Sequence, residues 1–388
     1  MHMRYASYLL CAVVIGLTPA ACGGGVSPPA PTATPAAETL PSPTMLPAPT
    51  ITPTPTPAPT PSPAFLSPSQ VQPLTLGDVF PARDLAALRL DPSRVRTLIA
   101  TGDVIPARLA DVTIRRQGDD FLYPIAATRE ITSGADLTVI NLEAPLIEGC
   151  PYHDFGFVFC GRPGFAAALQ AAGVDIATLE NNHIGNYGPQ GIAETISHLE
   201  ATGIAFADRD TPAVLEVRGL RFGFLAFNGV GEAIDRPAVL AQVQALRPQV
   251  DVLTVAFHWG REYVSLPQSS PGIADDDPVE VAHLAVDAGA DLIIGNHPHQ
   301  VQAVEMYKGK FIAYAHGNFI FDQMWSDETR MGVIGRYTFY DEVLVGVEFI
   351  PVRIENYAQP VPMQGAEAQA VLEGMRAASE ELAEQVTS

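Results

Sequence analysis

Five short apolar runs, each bounded by polar residues, form the clearest pattern in the chain. Their length and their content of valine, isoleucine and leucine are typical of buried β-strands. The runs are Arg96–Gly102, Asp136–Ile140, Val174–Glu180, Asp251–Phe257 and Gly289–Asn296. Helices are predicted at 164–172, 190–201, 237–246 and 278–288. Strands that alternate with helices in this way predict an α/β fold.

All five runs end in residues that can bind a metal or carry a proton. In chain order the endings are Asp103, Asn141 with Glu143, Asn182 with His183, His258, and His297 with His299. Taken singly, each ending has an ordinary explanation as a turn, a helix cap or a core histidine. In an open α/β sheet, however, the ligand crevice lies outside the carboxyl ends of the strands. We therefore expect these side chains to converge.

The pair His297 and His299 gives the strongest single indication. On an extended backbone, side chains two residues apart leave the same face, so both rings are expected to point to one site. Neutral imidazole is a good ligand for zinc, manganese or iron. With His258, the sequence predicts a centre for a divalent metal ion.

Later strands are predicted at 213–217, 220–227, 310–314 and 343–354. Several of them follow one another with no helix between, which argues against a purely parallel sheet and favours a mixed-sheet sandwich. The predicted folded domain covers residues 95–355. The tail, residues 356–388, is rich in alanine and glutamate and is predicted to form a surface helix.

Residues 1–22 have the pattern of an export signal, with Arg4 followed by the apolar run Leu9–Leu17. The run is too short for a lasting transmembrane helix. The junction Cys22-Gly23-Gly24-Gly25 is similar to that of bacterial lipoproteins, in which the cysteine is acylated. Because Pro19 stands where such junctions usually carry leucine, ordinary signal cleavage is the alternative. We expect an extracytoplasmic protein, lipid-anchored to the outer face of the cytoplasmic membrane.

Residues 23–75 are predicted to be a disordered tether, since Pro28–Pro63 is rich in proline and threonine and has no periodic apolar face. Beyond the leader, the only cysteines are Cys150 and Cys160, for which we predict a disulfide. Metal binding by this pair is the alternative, but a CxxC spacing is missing. The formal net charge of −21 excludes a general nucleic-acid binder.

The ordered set of motifs resembles the CapA family, named for poly-γ-glutamate capsule synthesis and related to calcineurin-like metallophosphoesterases. The motifs are Gly102-Asp103-Val104, Asn141-Leu142-Glu143, Asn181-Asn182-His183, 258–263, His297-Pro298-His299 and 317–322. The resemblance covers roughly residues 98–350. It implies a four-layer α/β/β/α sandwich of the metallophosphoesterase type, with mixed sheets and a metal site at the strand ends.

The resemblance also implies roles for individual residues. The implied metal ligands are Asp103, Glu143, Asn182, His258, His297 and His299, with Glu143 in the position that bridges two metals. His183 is implied as a general acid or oxyanion stabiliser. Arg108, Asn141, Glu262 and Asn318 are candidates for substrate contact or for orienting ligands, and for Arg108 and Glu262 an ordinary ion pair is an equal alternative. The related superfamily carries Asp-x-His in its first motif, whereas Ile105 stands here in place of that histidine, so one metal position loses an imidazole.

Two functions remain open from the sequence. One is an exported, metal-dependent hydrolase acting on a phosphoester or on an amide of a cell-surface polymer. The other is a metal-stabilised accessory subunit without catalysis, which helps a membrane synthase to make or export an anionic polymer. His183 favours the enzyme, since a scaffold does not need an unligated histidine beside the metals.

Overall fold

Two mixed β-sheets form the centre of the structure, a computed structural model that describes residues 65–387. The strands are β1 (Val95–Val104), β2 (Leu137–Leu142), β3 (Ile176–Thr178), β4 (Ala205–Ala207), β5 (Ala213–Val217), β6 (Leu220–Asn228), β7 (Val252–His258), β8 (Leu292–Asn296), β9 (Val304–Tyr307), β10 (Lys310–Ala313), β11 (Asn318–Ile320), β12 (Met331–Tyr340), β13 (Val343–Glu355) and β14 (Gln359–Pro362). The first sheet has the order β14-β13-β12-β1-β2-β3-β4, with β11 also paired to β1. The second has the order β5-β6-β7-β8-β10-β9.

Eight α-helices accompany the sheets within residues 65–387. They are α1 (Leu109–Arg116), α2 (Arg129–Ser133), α3 (Gly164–Ala171), α4 (Gly188–Thr202), α5 (Arg236–Leu246), α6 (Pro278–Ala288), α7 (Asp327–Arg330) and α8 (Gly365–Thr387). Helices α1, α3 and α4 cover the outer face of the first sheet, and α5 and α6 cover the outer face of the second. A third core, which includes Leu98, Val139 and Phe224, fills the space between the sheets. The predicted four-layer α/β/β/α sandwich is thereby confirmed.

The direction of the strands places the site. Strands β1 to β4 run parallel in the first sheet, and β6, β7 and β8 run parallel in the second. Strand β12 is antiparallel to β1 and to β13, as the mixed-sheet prediction requires. The carboxyl ends of β1, β2 and β3 therefore supply residues from one sheet, while β7 and β8 supply residues from the other.

Two glycines let neighbouring segments approach very closely just before these strand ends. A Cβ atom on Gly102 would lie 2.0 Å from the carbonyl oxygen of Gly317, and one on Gly295 would lie 1.9 Å from that of Tyr314. Neither distance is compatible with a side chain. The close backbone packing behind the site is therefore possible only because residues 102 and 295 are glycines.

The folded part begins before residue 95, earlier than the sequence predicted. Val71 and Leu74 are buried, although the predicted tether included both, and Arg83 donates hydrogen bonds of 2.9 Å to the carbonyl oxygens of Gln72 and Pro73. These apolar side chains reach the core, so the segment from 65 to 94 packs against the domain. Cys22 and the leader lie outside the described residues, as does most of the tether.

The predicted C-terminal helix is present as α8, but it is more than a surface helix. Met375, Ala378 and Leu382 lie on one face of α8 and are buried, at the spacing expected for an amphipathic helix. The backbone N–H of Val304 donates to Ser379 Oγ at 2.9 Å, which fixes α8 against β9. Among residues 65–387, every helix falls short of the length and apolar character needed to cross a bilayer.

Candidate metal centre

Five of the predicted ligands lie buried together at the strand ends. Asp103 lies in β1, Glu143 directly follows β2, His258 ends β7, and His297 and His299 follow β8. Two groups of possible ligand atoms result, Asp103 with Glu143 and His258, and Glu143 with His297 and His299. Within each group the atoms lie within 4.8 Å of one another. Glu143 belongs to both groups, in agreement with the bridging position implied by the resemblance.

The His-x-His pair reaches the site by a turn, so the expectation of an extended backbone was wrong. Strand β8 ends at Asn296, and His297 and His299 have φ angles of 95° and 53°. Such left-handed conformations are unfavourable for residues other than glycine and often occur at functional sites. Hydrogen bonds hold the turn: the N–H of His297 donates to Asp103 Oδ2 at 3.3 Å, and the N–H of Tyr263 donates to the Pro298 carbonyl at 2.9 Å.

His258 joins the two sheets across the site. Its Nδ1 lies 3.3 Å from the amide nitrogen of Asn141, which can only donate, so Nδ1 accepts and the proton resides on Nε2. Nε2 lies 2.8 Å from Asn182 Oδ1 and 3.3 Å from Glu143 Oε1, the latter without hydrogen-bond alignment. A cation that replaced the Nε2 proton would meet an imidazole nitrogen, an amide oxygen and a carboxylate oxygen.

His299 is held by its Nδ1 atom, which leaves Nε2 free of close partners. Nδ1 lies 3.0 Å from Asp103 Oδ2 and 2.9 Å from Asn318 Oδ1. The amide nitrogen of Asn318 donates to the Thr329 carbonyl at 2.9 Å, which fixes the amide orientation. Asn141 likewise donates to Asp103 Oδ1 at 2.8 Å. Both asparagines therefore orient possible ligands, as is usual around metal sites.

Two of the clustered ligand candidates have buried polar atoms without hydrogen-bond partners. Neither ring nitrogen of His297 is hydrogen-bonded, and Glu143 Oε1 also has no such bond. Leaving buried polar atoms unpaired is costly, and such atoms in a native fold require an explanation. A divalent cation would satisfy both groups. The donor set of imidazole, carboxylate and amide oxygen therefore fits zinc, manganese or iron.

The protonation of the cluster also reflects the shortage of positive charge. Burial and the charge of Asp103 raise the pKa of Glu143 well above its usual value. Burial lowers the pKa of His258 to about 3, and burial together with the neighbouring His258 ring lowers the pKa of His297 well below 6.5. His299 differs, because against the effect of burial its hydrogen bond to Asp103 raises its pKa to about 9. A bound cation would favour ionised carboxylates and neutral imidazoles throughout the cluster.

His183 lies beside the cluster and has a defined tautomer. Its Nδ1 is 3.1 Å from Asn186 Oδ1, and the same oxygen accepts a 2.6 Å hydrogen bond from the N–H of Phe159. Because that bond identifies the atom as the amide oxygen, Nδ1 must carry the proton and Nε2 the lone pair. The Phe159 ring packs 4.3 Å from the imidazole, and burial lowers the pKa of His183 to about 4.

Comparison with known proteins agrees with this geometry. Residues 97–323, more than half of the chain, match the family described as bacterial capsule synthesis protein PGA_cap. The chain belongs to this family. It is 26% identical over 302 residues to the capsule biosynthesis protein CapA of Bacillus anthracis, covering 70% of each chain. It is also 26% identical over 286 residues to the PGA biosynthesis protein CapA of Bacillus subtilis, covering 68% of this chain and 72% of the relative.

A third relative has a different name. A "Probable polyglutamine synthesis accessory protein" of Mycobacterium tuberculosis is 28% identical over 271 residues, covering 58% of this chain and 67% of the relative. The resemblance to the CapA family that the motifs indicated is confirmed by the family match.

The remaining predicted site residues of this capsule synthesis family member lie around the cluster. Arg108 forms an ion pair with Asp322 and packs between the Phe159 and Phe321 rings, with its guanidinium carbon 5.0 and 4.9 Å from the ring centres. Its charge is therefore already balanced within the fold. The Glu262 side chain is 41% exposed and comes only within 4.0 Å of His299 Nε2. Both positions remain predictions for substrate contact.

Ile105 and the two cysteines lie at the edge of the site. Ile105 is buried in an apolar cluster with Ala107 and Phe321, so this position contributes no ligand. Cys150 and Cys160 form a disulfide with a Cα–Cα distance of 5.9 Å. The two sulfur atoms are therefore not thiolates and do not serve as metal ligands, although His153 lies close to both.

Sequence reasoning assigned no role to three residues that shape the site. Asn181 donates to Asn141 Oδ1 at 3.1 Å and to the Leu142 carbonyl at 2.9 Å, which supports the hydrogen bonds that Asn141 donates. Asn186 fixes the tautomer of His183, and Asp322 pairs with Arg108. The three-residue spacing between His183 and Asn186 was a usable signal, since one helical turn brings such residues together.

Proposed function

We propose that this protein is an exported, metal-dependent hydrolase that acts in the synthesis, release or export of an anionic cell-surface polymer such as poly-γ-glutamate. The family match and the CapA relatives support the polymer pathway. The single observation that carries the hydrolase proposal is the set of buried metal-ligand atoms on His297 and Glu143 that have no hydrogen-bond partner. His183 lies near enough to interact electrostatically with His297, His258 and His299, but it is not among the grouped ligand candidates.

The residues that would hold the metal are Asp103, Glu143, Asn182, His258, His297 and His299. When bound, a divalent cation lowers the pKa of water and stabilises negative charge on the reacting oxygens. Asn141 and Asn318 keep Asp103 and His299 in place through hydrogen bonds of 2.8 and 2.9 Å. Glu143 lies in both groups of possible ligands, so its side chain would keep two positions at a fixed separation.

His183 would handle the proton. With Nδ1–H donated to Asn186, the Nε2 atom has the lone pair, so it would accept a proton from the attacking water and return it to the leaving group. Phe159 packs against one face of the ring and excludes water from it. Asn186 and Phe159 together keep Nε2 in one orientation.

A pair of neighbouring substitutions tests this assignment. The His183→Asn variant should retain metal and thermal stability yet lose roughly a hundredfold to ten-thousandfold in turnover, the usual range for a lost proton-transfer group. The Asn182→Ala variant should lose metal occupancy as well as rate. Turnover is measured on a generic phosphoester and on a γ-glutamyl peptide, with His198→Asn in α4 as a matched histidine control.

The second candidate is an accessory subunit without catalysis, which the name of the Mycobacterium tuberculosis relative favours. In that case the protein associates with membrane synthase subunits and with the polymer or its precursors. If His183→Asn changes neither polymer production in cells nor any hydrolysis, the accessory function replaces the enzymatic one. A metal content unchanged by His297→Ala would contradict the metal centre itself.

The proposed location is the outer face of the cytoplasmic membrane, with an acylated Cys22 as the first residue. Arg4, the apolar run Leu9–Leu17 and the glycines after Cys22 support it. Mass spectrometry of the native N-terminus tests the anchor. An unmodified N-terminus at another residue, on protein found free in the medium, would contradict lipidation but not export.

A further inference from the structure

The disulfide loop, residues 150–160, exposes large apolar side chains. The exposed fractions are 60% for Tyr152, 82% for Phe155, 76% for Phe157 and 57% for Val158. Single exposed apolar residues are common on protein surfaces, but four of them within seven residues form a contiguous patch. Such patches mark contact with another apolar surface.

The loop is also fixed at its base and at its middle. The bond between Cys150 and Cys160 closes it, and the Arg108 guanidinium donates a 3.0 Å hydrogen bond to the Gly156 carbonyl. At the C-terminal end, the Phe159 N–H donates to Asn186, the residue that orients His183. These bonds hold the loop beside the candidate metal centre, so its position and that of the site are linked.

A second exposed aromatic pair lies on the His299 side of the site. Trp325 is 61% exposed and Tyr263 is 42% exposed, and their rings form an edge-to-face pair 6.0 Å apart. The Tyr263 ring lies 6.4 Å from that of His299. Tryptophan and tyrosine are the side chains most enriched where protein meets the headgroup region of a membrane.

The charge of the loop differs from that of the whole chain. Between Cys150 and Cys160 the only acidic residue is Asp154, and lysine and arginine are missing, whereas the chain as a whole has a formal net charge of −21. Anionic phospholipids repel an acidic surface. The disulfide loop is therefore a part of the surface that can approach such lipids with little repulsion.

The size of the patch indicates which occupant fits. Three aromatic side chains with this exposure offer on the order of 400–500 Å² of surface. A stable protein interface needs about 800 Å² on each partner. The loop is thus small for a protein partner but sufficient for a weak contact with a bilayer.

We propose that the disulfide loop inserts Phe155 and Phe157 into the interface of a phospholipid bilayer, and so brings the candidate metal centre beside it close to the membrane. This inference rests on the proposed extracytoplasmic location and is independent of hydrolysis.

A local fluorescent probe tests the insertion in the full chain, whether or not the N-terminus is itself in the membrane. Phe155→Trp is made together with Trp325→Phe, which leaves buried Trp259 as the constant background. Vesicles contain phosphatidylethanolamine and phosphatidylglycerol, with or without brominated acyl chains. The emission of the new tryptophan should shift to the blue, and brominated lipid should quench it by at least about half, because bromine quenches only probes within the bilayer.

Val214→Trp, in the same Trp325→Phe background, is the matched control, since Val214 is 49% exposed on strand β5 outside the loop. It should show no quenching. Equal quenching of the two probes, or none of either, would overturn the proposal. So would sedimentation data in which Phe155→Ser with Phe157→Ser abolishes self-association, because a second copy of the chain would then be the occupant. Acylation of Cys22 is measured separately by mass spectrometry, so either result can fail alone.

Discussion

His316 should make the stability of the protein depend on pH. The side chain is completely buried, and its Nε2 lies 2.8 Å from the Tyr337 hydroxyl. Burial lowers the pKa of His316 from 6.5 to about 4, because a charged imidazole loses its hydration there. In the unfolded chain this histidine titrates at its ordinary pKa. As the pH falls through 6.5, the unfolded state therefore gains a proton that the folded state does not bind.

The magnitude follows from the two pKa values. The full difference corresponds to about 3 kcal/mol of unfolding free energy, lost progressively as the pH falls from 6.5 to about 4. Between about pH 7 and about pH 5 the expected loss from this one group is about 2 kcal/mol. Below the folded pKa both states are protonated, and the loss does not grow further.

The assay compares the wild type with His316→Gln by denaturant unfolding at both pH values. Glutamine does not titrate. The difference in unfolding free energy between the wild type and His316→Gln should therefore change by about 2 kcal/mol from the higher pH to the lower, whatever the cost of the substitution itself. Tyr337→Phe, which keeps the histidine, should retain the pH dependence of the wild type. A wild-type and a His316→Gln protein that lose stability in parallel would refute the reasoning, because burial would then not control this titration.

Three further outcomes are expected. His297→Ala should reduce metal content by at least about half in elemental analysis, since it removes a buried imidazole with no other partner, and unchanged occupancy would contradict its role as a ligand. Cys150→Ser should lower the unfolding free energy by about 2–3 kcal/mol, because it opens a loop closed over a sequence separation of 10. If the unfolding free energy of the wild type did not change on addition of reductant, the disulfide would not contribute this stability. Gly102→Ala should cost at least about 3 kcal/mol through collision with the Gly317 carbonyl, whereas Gly374→Ala, with no atom near its Cβ position, should be neutral or stabilising in thermal unfolding.

The sequence predicted the centre of the fold because the relevant pattern is local. Each of Asp103, Glu143 and His258 lies at or directly after the end of a buried strand, and parallel strands bring such ends to one edge. Four of the helices, at 164–172, 190–201, 237–246 and 278–288, and the mixed character of the sheets were predicted from the same kind of pattern. The four layers themselves came from the resemblance, and the structure agrees with them.

Other features depend on contacts between distant residues and left no local pattern. Leu74 is buried by a core built mainly from residues more than twenty positions further along the chain. Helix α8 packs on the domain through contact with β9, which is far from it in sequence. The left-handed backbone at His297 and His299 was not predicted, because the residue types in 297–299 are compatible with an extended strand. Asp322 was visible in a motif, but its partner Arg108 is separated from it by more than two hundred residues.

The close approach at Gly102 and Gly295 limits how this protein can diversify. The carbonyl oxygens of Gly317 and Tyr314 lie about 2 Å from where a Cβ atom on Gly102 or Gly295 would stand. A side chain at either glycine would push the two neighbouring segments apart and displace the strand ends that carry the site. A lineage that acquires a new substrate must therefore leave this backbone unchanged and vary the loops in front of it. The exposed residues of the disulfide loop and those around Trp325 are where such novelty can accumulate at little cost to folding.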